Sequence, residues 1–195
     1  MVLAYHLIWT AYGTWLPNDP RGSGSRSVVA SWLAPLGAVH FGRKAVQPRR
    51  SIVQDFYGRA SGLLQQPVIR FDAAQREVIA AAFAEVVRAT PYMCYACAVM
   101  PDHVHLVIRK HRRNAEEMID DLQCASRSRL SAESLIPPVH PAWTNGGWKR
   151  YLDTPERIRR TVQYVEGNPA KEGLAPQTWP FVDAYDGWSF SRRER

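Results

Sequence analysis

At 195 residues, with 46% hydrophobic and 22% charged side chains, the chain has globular composition, which excludes wholesale disorder and leaves room for one core but hardly two. The net charge of +7 and pI near 9.6 favour a polyanionic partner. No apolar run reaches the length that spans a bilayer, and the opening residues lack the basic and apolar regions of a signal peptide, so no membrane contact and a cytoplasmic location are expected.

Residues 2–10 are rich in β-branched and aromatic types and read as a strand. From Tyr12 to about Arg70 the chain carries Pro17, Pro20, Gly22, Gly24, Pro35, Gly37, Pro48, Gly58, Gly62 and Pro67. That punctuation predicts a loop-rich insertion, about 12–70, with little regular structure. Asp72, with Gln75 three residues on, caps a helix in which Val78, Ile79, Ala82, Phe83, Val86 and Val87 recur at helical spacing. Thr90-Pro91 stops it.

Strand 92–99, a turn at Met100-Pro101-Asp102 and strand 103–109 follow. A second helix starts at Asn114, capped with Glu117, and buries Met118, Leu122 and Ala125. Pro137, Pro138 and Pro141 mark a connection, Gly146-Gly147 a turn, and Trp148 to Leu152 a fourth strand. Thr154-Pro155 opens a last helix, a capping hydroxyl ahead of a proline at the first helical position. The order strand, helix, strand, strand, helix, strand, helix predicts a single α+β domain over 1–195, a ferredoxin-like antiparallel sheet with helices packed on it. A basic tail, about 175–195, ends the chain and includes Arg192 and Arg193.

The three cysteines include a lone CxxC, Cys94 and Cys97, inside an apolar strand run. A spacing of three on a strand points the two thiols to opposite faces, which makes them core residues rather than a redox or zinc pair.

His103 and His105 flank Val104 on a strand, so the two imidazoles project together, about 6 to 7 Å apart, while Val104, Leu106 and Ile108 point to the core. Such a pair can converge on one metal ion, and it serves equally often as a structural pair. On the last helix Ile158, Val162 and Val165 form an apolar stripe, and Arg157, Thr161, Tyr164 and Asn168 share an adjoining polar one. That second stripe either faces the histidines or is the solvated side of an amphipathic helix.

Two stretches, Met-Pro-Asp-His-Val-His-Leu-Val (100–107) and Tyr-Val-Glu-Gly-Asn-Pro-Ala-Lys-Glu-Gly-Leu (164–174), resemble the paired signature of REP-associated tyrosine transposases, within the single-tyrosine HUH endonuclease superfamily. Residues 12–22 and 143–152 are similar to further stretches of one branch. The resemblance implies an HUH endonuclease palm, His103 and His105 as metal ligands, Tyr164 as nucleophile and Asn168 as third ligand. Asn168 stands where many relatives have glutamine; its amide is one methylene nearer the backbone, and Pro169 disfavours helical geometry there. Many relatives also carry a lysine near Gln123, for which Arg127 is a candidate substitute.

A donor set of two imidazoles and an amide suits Mg²⁺ or Mn²⁺. By the same resemblance the substrate is single-stranded DNA beside a hairpin, often a repetitive extragenic palindrome, cut and rejoined through a 5′-phosphotyrosine link. Seven tryptophans and eight tyrosines interleaved with basic residues are compatible with that partner. The candidate DNA contacts are Trp15, Arg21, Arg109, Lys110, Arg112, Arg127, Trp148, Lys149 and Arg150. Relatives include dimers that exchange the tyrosine helix and monomers that keep it; a monomer is expected here. The alternative, from another class, is a hairpin-binding protein that does not cut.

Overall fold

The computed structural model describes residues 1–28 and 30–188; Arg192 and Arg193 lie outside the described residues. The elements, in chain order, are β1 (Ala4–Thr10), a 3₁₀ turn (Ser31–Leu36), α1 (Arg50–Ser61), α2 (Ala73–Ala89), β2 (Cys94–Val99), β3 (His103–Arg109), α3 (Ala115–Ala132), β4 (Trp148–Leu152), α4 (Pro155–Glu166) and the single turn α5 (Asn168–Lys171). The strands form one antiparallel sheet in the order β2-β3-β1-β4. With α2 ahead of β2 and α3 between β3 and β4, this is the ferredoxin-like α+β arrangement.

Strand alternation sorts the side chains into two cores. Tyr5, Leu7 and Trp9 of β1 and Val104, Leu106 and Ile108 of β3 face α2 and α3, where they meet Ile79, Phe83, Met118 and Leu122. On the other face Ala4, Ala98, Val107 and Leu152 receive Ile158, Val162 and Val165 of α4. All three of those α4 residues are buried, as their spacing predicts. One helix cannot cover a four-stranded sheet. α4 packs over β2 and β3, and the positions His6, Ile8, His103 and His105 are left along its margin.

The caps form as expected. Asp72 with Gln75 and Asn114 with Glu117 each close a reciprocal capping box, and the Thr154 side chain accepts from the Arg157 amide. Each such cap contributes about 1 kcal/mol. In α3 Met118 and Leu122 are buried, whereas Ala125 is half-buried and Ser126 takes the inner position. Among the described residues no helix is long and apolar enough to cross a membrane.

Three local expectations give way. The register slips between Cys94 and Ala96, so Tyr95 and Ala96 both turn toward α4, and Cys94 and Cys97 join the same core instead of opposite faces. Both thiols are buried and free, and burial raises their pKa values, that of Cys94 to about 12; they remain inert core groups. The last helix breaks at Gly167, so Asn168 opens a new turn rather than continuing the helix of Tyr164.

The insertion is also more ordered than its punctuation predicts. It holds the 3₁₀ turn and all of α1, packed as a small core of Leu16, Leu33, Leu36, Phe56 and Ala60. Helix α1 has Arg49 as its N-cap, with no side-chain cap bond, so it lacks the start signal by which a helix is read from sequence, although Val53, Phe56, Tyr57 and Ala60 recur at helical spacing on its inner face.

Candidate active site

The pairing of β1 with β3 sets the site. Ile8 lies opposite His105 and Thr10 opposite His103, which puts both histidines on the α4 face with His6 one diagonal away. The two imidazoles of β3 stand 4.8 Å apart, ring centre to ring centre, at 90°. Two rings bound through nitrogen to one ion, each ring centre about 3.2 Å from it, come to roughly this spacing.

Each ring is also held by its inner nitrogen. His103 Nδ1 bonds Asp102 Oδ1 at 2.6 Å, and Asp102 Oδ2 accepts from Arg70 at 3.1 Å. The hydrogen bond with His103, more than the nearby charges, holds the Asp102 carboxyl below its ordinary range. His105 Nδ1 meets His6 Nε2 at 3.0 Å in a buried, nearly stacked pair. Burial pushes His6 down to about 4 and His105 to about 2, so both are neutral at ordinary pH and one must donate to the other. If His105 Nδ1 is the donor, Nε2 of both His103 and His105 keeps its lone pair for a ligand, the arrangement found when a second residue orients a metal-binding imidazole.

Tyr164 stands edge-on to this pair, its ring 5.6 Å from His105 and 6.1 Å from His6, and it is 48% exposed. The Lys171 ammonium lies over the tyrosine ring at 4.4 Å. Asn168 is buried, and its Nδ2 has no hydrogen-bond partner. Because the two ends of an amide are assigned from their partners, this group has a polar atom to offer an incoming ligand. Two imidazoles held at Nδ1 and an amide with an unused polar end are of types that fit a divalent ion. Among the described residues no three His, Cys, Asp or Glu side chains cluster for a metal.

Beside Tyr164 a cleft of about 470 Å³ opens between β4 and α4, lined by His6, Arg150, Arg157, Arg160, Thr161 and Tyr164. Arg157 is paired with Asp153 at 2.7 Å. Arg150 lies opposite His6 in the β1–β4 register and lowers the pKa of that histidine through its charge.

The nine residues read from sequence as DNA contacts separate by location. Trp148 and Arg150 share the site face, opposite Ile8 and His6. Lys149 points to the other face and pairs with Glu116. Arg109, Lys110 and Arg112 sit at the far end of β3 from His103, about 20 Å along the strand, with Arg109 stacked on Trp188 at 3.6 Å. Trp15 and Arg21 belong to the interior of the insertion: Arg21 lies 3.8 Å over the Trp15 ring and binds both oxygens of buried Asp19, which also accepts from Tyr57 at 2.5 Å.

Arg127 donates to the carbonyls of Pro138 and His140, and Gln123 to those of Thr144 and Gly146. Both therefore fasten the loop ahead of β4, and the cation next to the tyrosine is Lys171. Reading the sequence missed His6 and Lys171. His6 was signalled only as a polar residue on the Ala4, His6, Ile8 face of an apolar strand; Lys171 lies in the short turn after Gly167, seven residues from Tyr164.

The sequence matches no protein-family model and no curated protein. Among solved structures, the chain is similar to a REP-associated tyrosine transposase bound to a REP hairpin, at 15% identity and a TM-score of 0.49, over 100% of this chain and 92% of that one. It is also similar to a Deinococcus radiodurans R1 protein with a provisional transposase assignment, at 16% identity and a TM-score of 0.39, over 86% of this chain and 91% of the other. The fold assignment rests on the strand order itself.

Proposed function

We propose that this chain is a metal-dependent endonuclease and strand transferase for single-stranded DNA beside hairpins, a transposase-like enzyme that uses Tyr164 as its nucleophile. The observation that carries the reading is the approach of the Tyr164 ring to within 5.6 Å of His105, beside a second, oriented imidazole. A solvated helix face would have no reason to aim its one tyrosine at a buried histidine pair.

His103, His105 and Asn168 would hold Mg²⁺ or Mn²⁺, which supplies Lewis-acid polarisation of the scissile phosphate when bound. The protein's own groups do the rest. Tyr164 Oη gives up its proton and attacks phosphorus, the bond from phosphorus to the 3′ oxygen breaks, and that oxygen takes up one proton to leave as a 3′-hydroxyl, so protons lost and gained are equal. The product is a 5′-phosphotyrosyl link, whose bond energy lets another 3′-hydroxyl reverse the step and join the strands. Lys171 braces the Tyr164 ring from its face through a cation–π contact. Arg150 and Arg160 line the adjoining cleft, where they would hold flanking phosphates.

The test is a labelled hairpin oligonucleotide with an unpaired flank, incubated with Mg²⁺ or Mn²⁺ and run under denaturing conditions. A covalent adduct that maps to the peptide containing Tyr164 is expected. Tight binding without any adduct would make the chain a hairpin-binding protein, and an adduct on another tyrosine would overturn the assignment of the nucleophile.

A further inference from the structure

We infer that the insertion between β1 and α2 builds, together with the edge strand β4, a stacking platform for an unpaired base of the DNA strand held at the active site; this rests on the nuclease reading above. The platform is the pair Trp148 and Phe41, with rings 6.5 Å apart at 44°. Both are exposed, at 45% and 50%, and Arg26 lies 4.7 Å over the Phe41 ring. Large aromatic groups left open to water beside a cation match an unpaired nucleobase, which offers a π-face to stack on and a phosphate to neutralise.

The sheet register locates the platform relative to the chemistry. Trp148, Ile8 and His105 lie opposite one another in a single row across β4, β1 and β3, so the indole shares a face with His105 two strands away, about 10 Å between backbones. A nucleotide flanking a phosphate at the histidines can reach across Ile8 and lay its base on the indole.

The insertion holds Phe41 in place by a chain of specific contacts. Buried Asp19 fixes Arg21 and Tyr57, and the segment that follows pairs with residues 40–44: Ser23 donates its amide to His40 O at 3.0 Å, Gly42 to Ser23 O at 2.7 Å, and Lys44 to Arg21 O at 3.0 Å. The crossing is so close that a Cβ on Gly22, at φ +91, would come within 2.0 Å of the Gly42 carbonyl oxygen. At Gly24 a Cβ would come to 3.0 Å from the Trp148 ring, so the backbone of the insertion lies against the indole. An insertion that served only to cover the sheet edge would not need to leave two aromatic rings exposed there.

Binding should be measured in a Tyr164→Phe background, with an unpaired thymidine-rich DNA of about 15 nucleotides and with a duplex of the same length. Trp148→Ala and Phe41→Ala are each expected to weaken single-strand binding about tenfold, with the duplex unaffected. Phe41→Leu, which keeps apolar bulk without the ring, should lose as much as Phe41→Ala, and Trp148→Phe should retain most of the affinity. Unchanged single-strand binding in both alanine variants, or an equal loss on duplex, overturns the platform. Adduct formation by the unmodified protein separates the two readings. If it forms while the alanine variants bind normally, the platform alone fails; if it never forms but those variants lose strand binding, only the nuclease reading fails.

Discussion

The sheet face and the insertion place polar groups in opposite ways. On the sheet face, the histidines, Tyr164 and the cleft arginines stand on β1, β3, β4 and α4, elements already secured by two apolar cores, and His6, Arg150, Arg160 and Tyr164 line one cleft. In the insertion, the polar groups are themselves the fastening. Asp19, fully buried, is matched by Arg21 and Tyr57, and only a small apolar cluster supports them. Burial accordingly pushes the Tyr57 hydroxyl far up, with Asp19 adding to it. A site whose supports are apolar can lose a polar group and keep its fold; a region whose supports are polar cannot.

Single substitutions test this contrast. The largest effect is expected for Tyr164→Phe, which removes one oxygen from an exposed ring: adduct formation should vanish while the melting temperature and hairpin binding stay unchanged. A melting temperature that falls along with activity would mean that the tyrosine is structural. Asp19→Ala should do the reverse. It leaves a half-buried guanidinium without its carboxylate and takes one of several partners from the Tyr57 hydroxyl, a loss of about 3–5 kcal/mol, and hydrogen exchange should show residues 12–70 unprotected while the sheet amides remain slow. Uniform loss of protection would make the insertion and sheet one cooperative unit.

Smaller effects test the histidines. His6→Ala removes the partner of His105 Nδ1, and the ligand ring should then bind metal about 10 to 100-fold more weakly, read as a reduced shift of melting temperature on titration with Mn²⁺. His103→Ala and His105→Ala should abolish that shift and the nicking, and Asn168→Ala should weaken both less. A full metal-induced shift in His6→Ala would reduce His6 to packing. The smallest effect concerns charge. Neutralising Arg150 should lower the slope of log affinity against log salt by about 0.7 for a single strand, whereas Lys110→Gln, at the far end of β3, should leave it unchanged. Equal changes would mean that the strand covers both ends of the sheet.

Local chemistry by itself determined the strands, the two capping boxes, the Thr154-Pro155 start of α4 and the common face of His103 and His105, because each depends on residues within a few positions of one another. The inward stripe of Ile158, Val162 and Val165, and hence the polar stripe bearing Tyr164, followed from helical period alone. Tertiary structure decided the rest. The slip at Tyr95-Ala96 turned two thiols to one side against strand alternation, and α1 formed without a cap because the insertion's own small core receives Phe56 and Ala60. His6 joined His105 across 99 residues, and Phe41 met Trp148 from the far side of the insertion. Such contacts depend on register and packing between segments distant in the chain, and no local pattern of residue types encodes them.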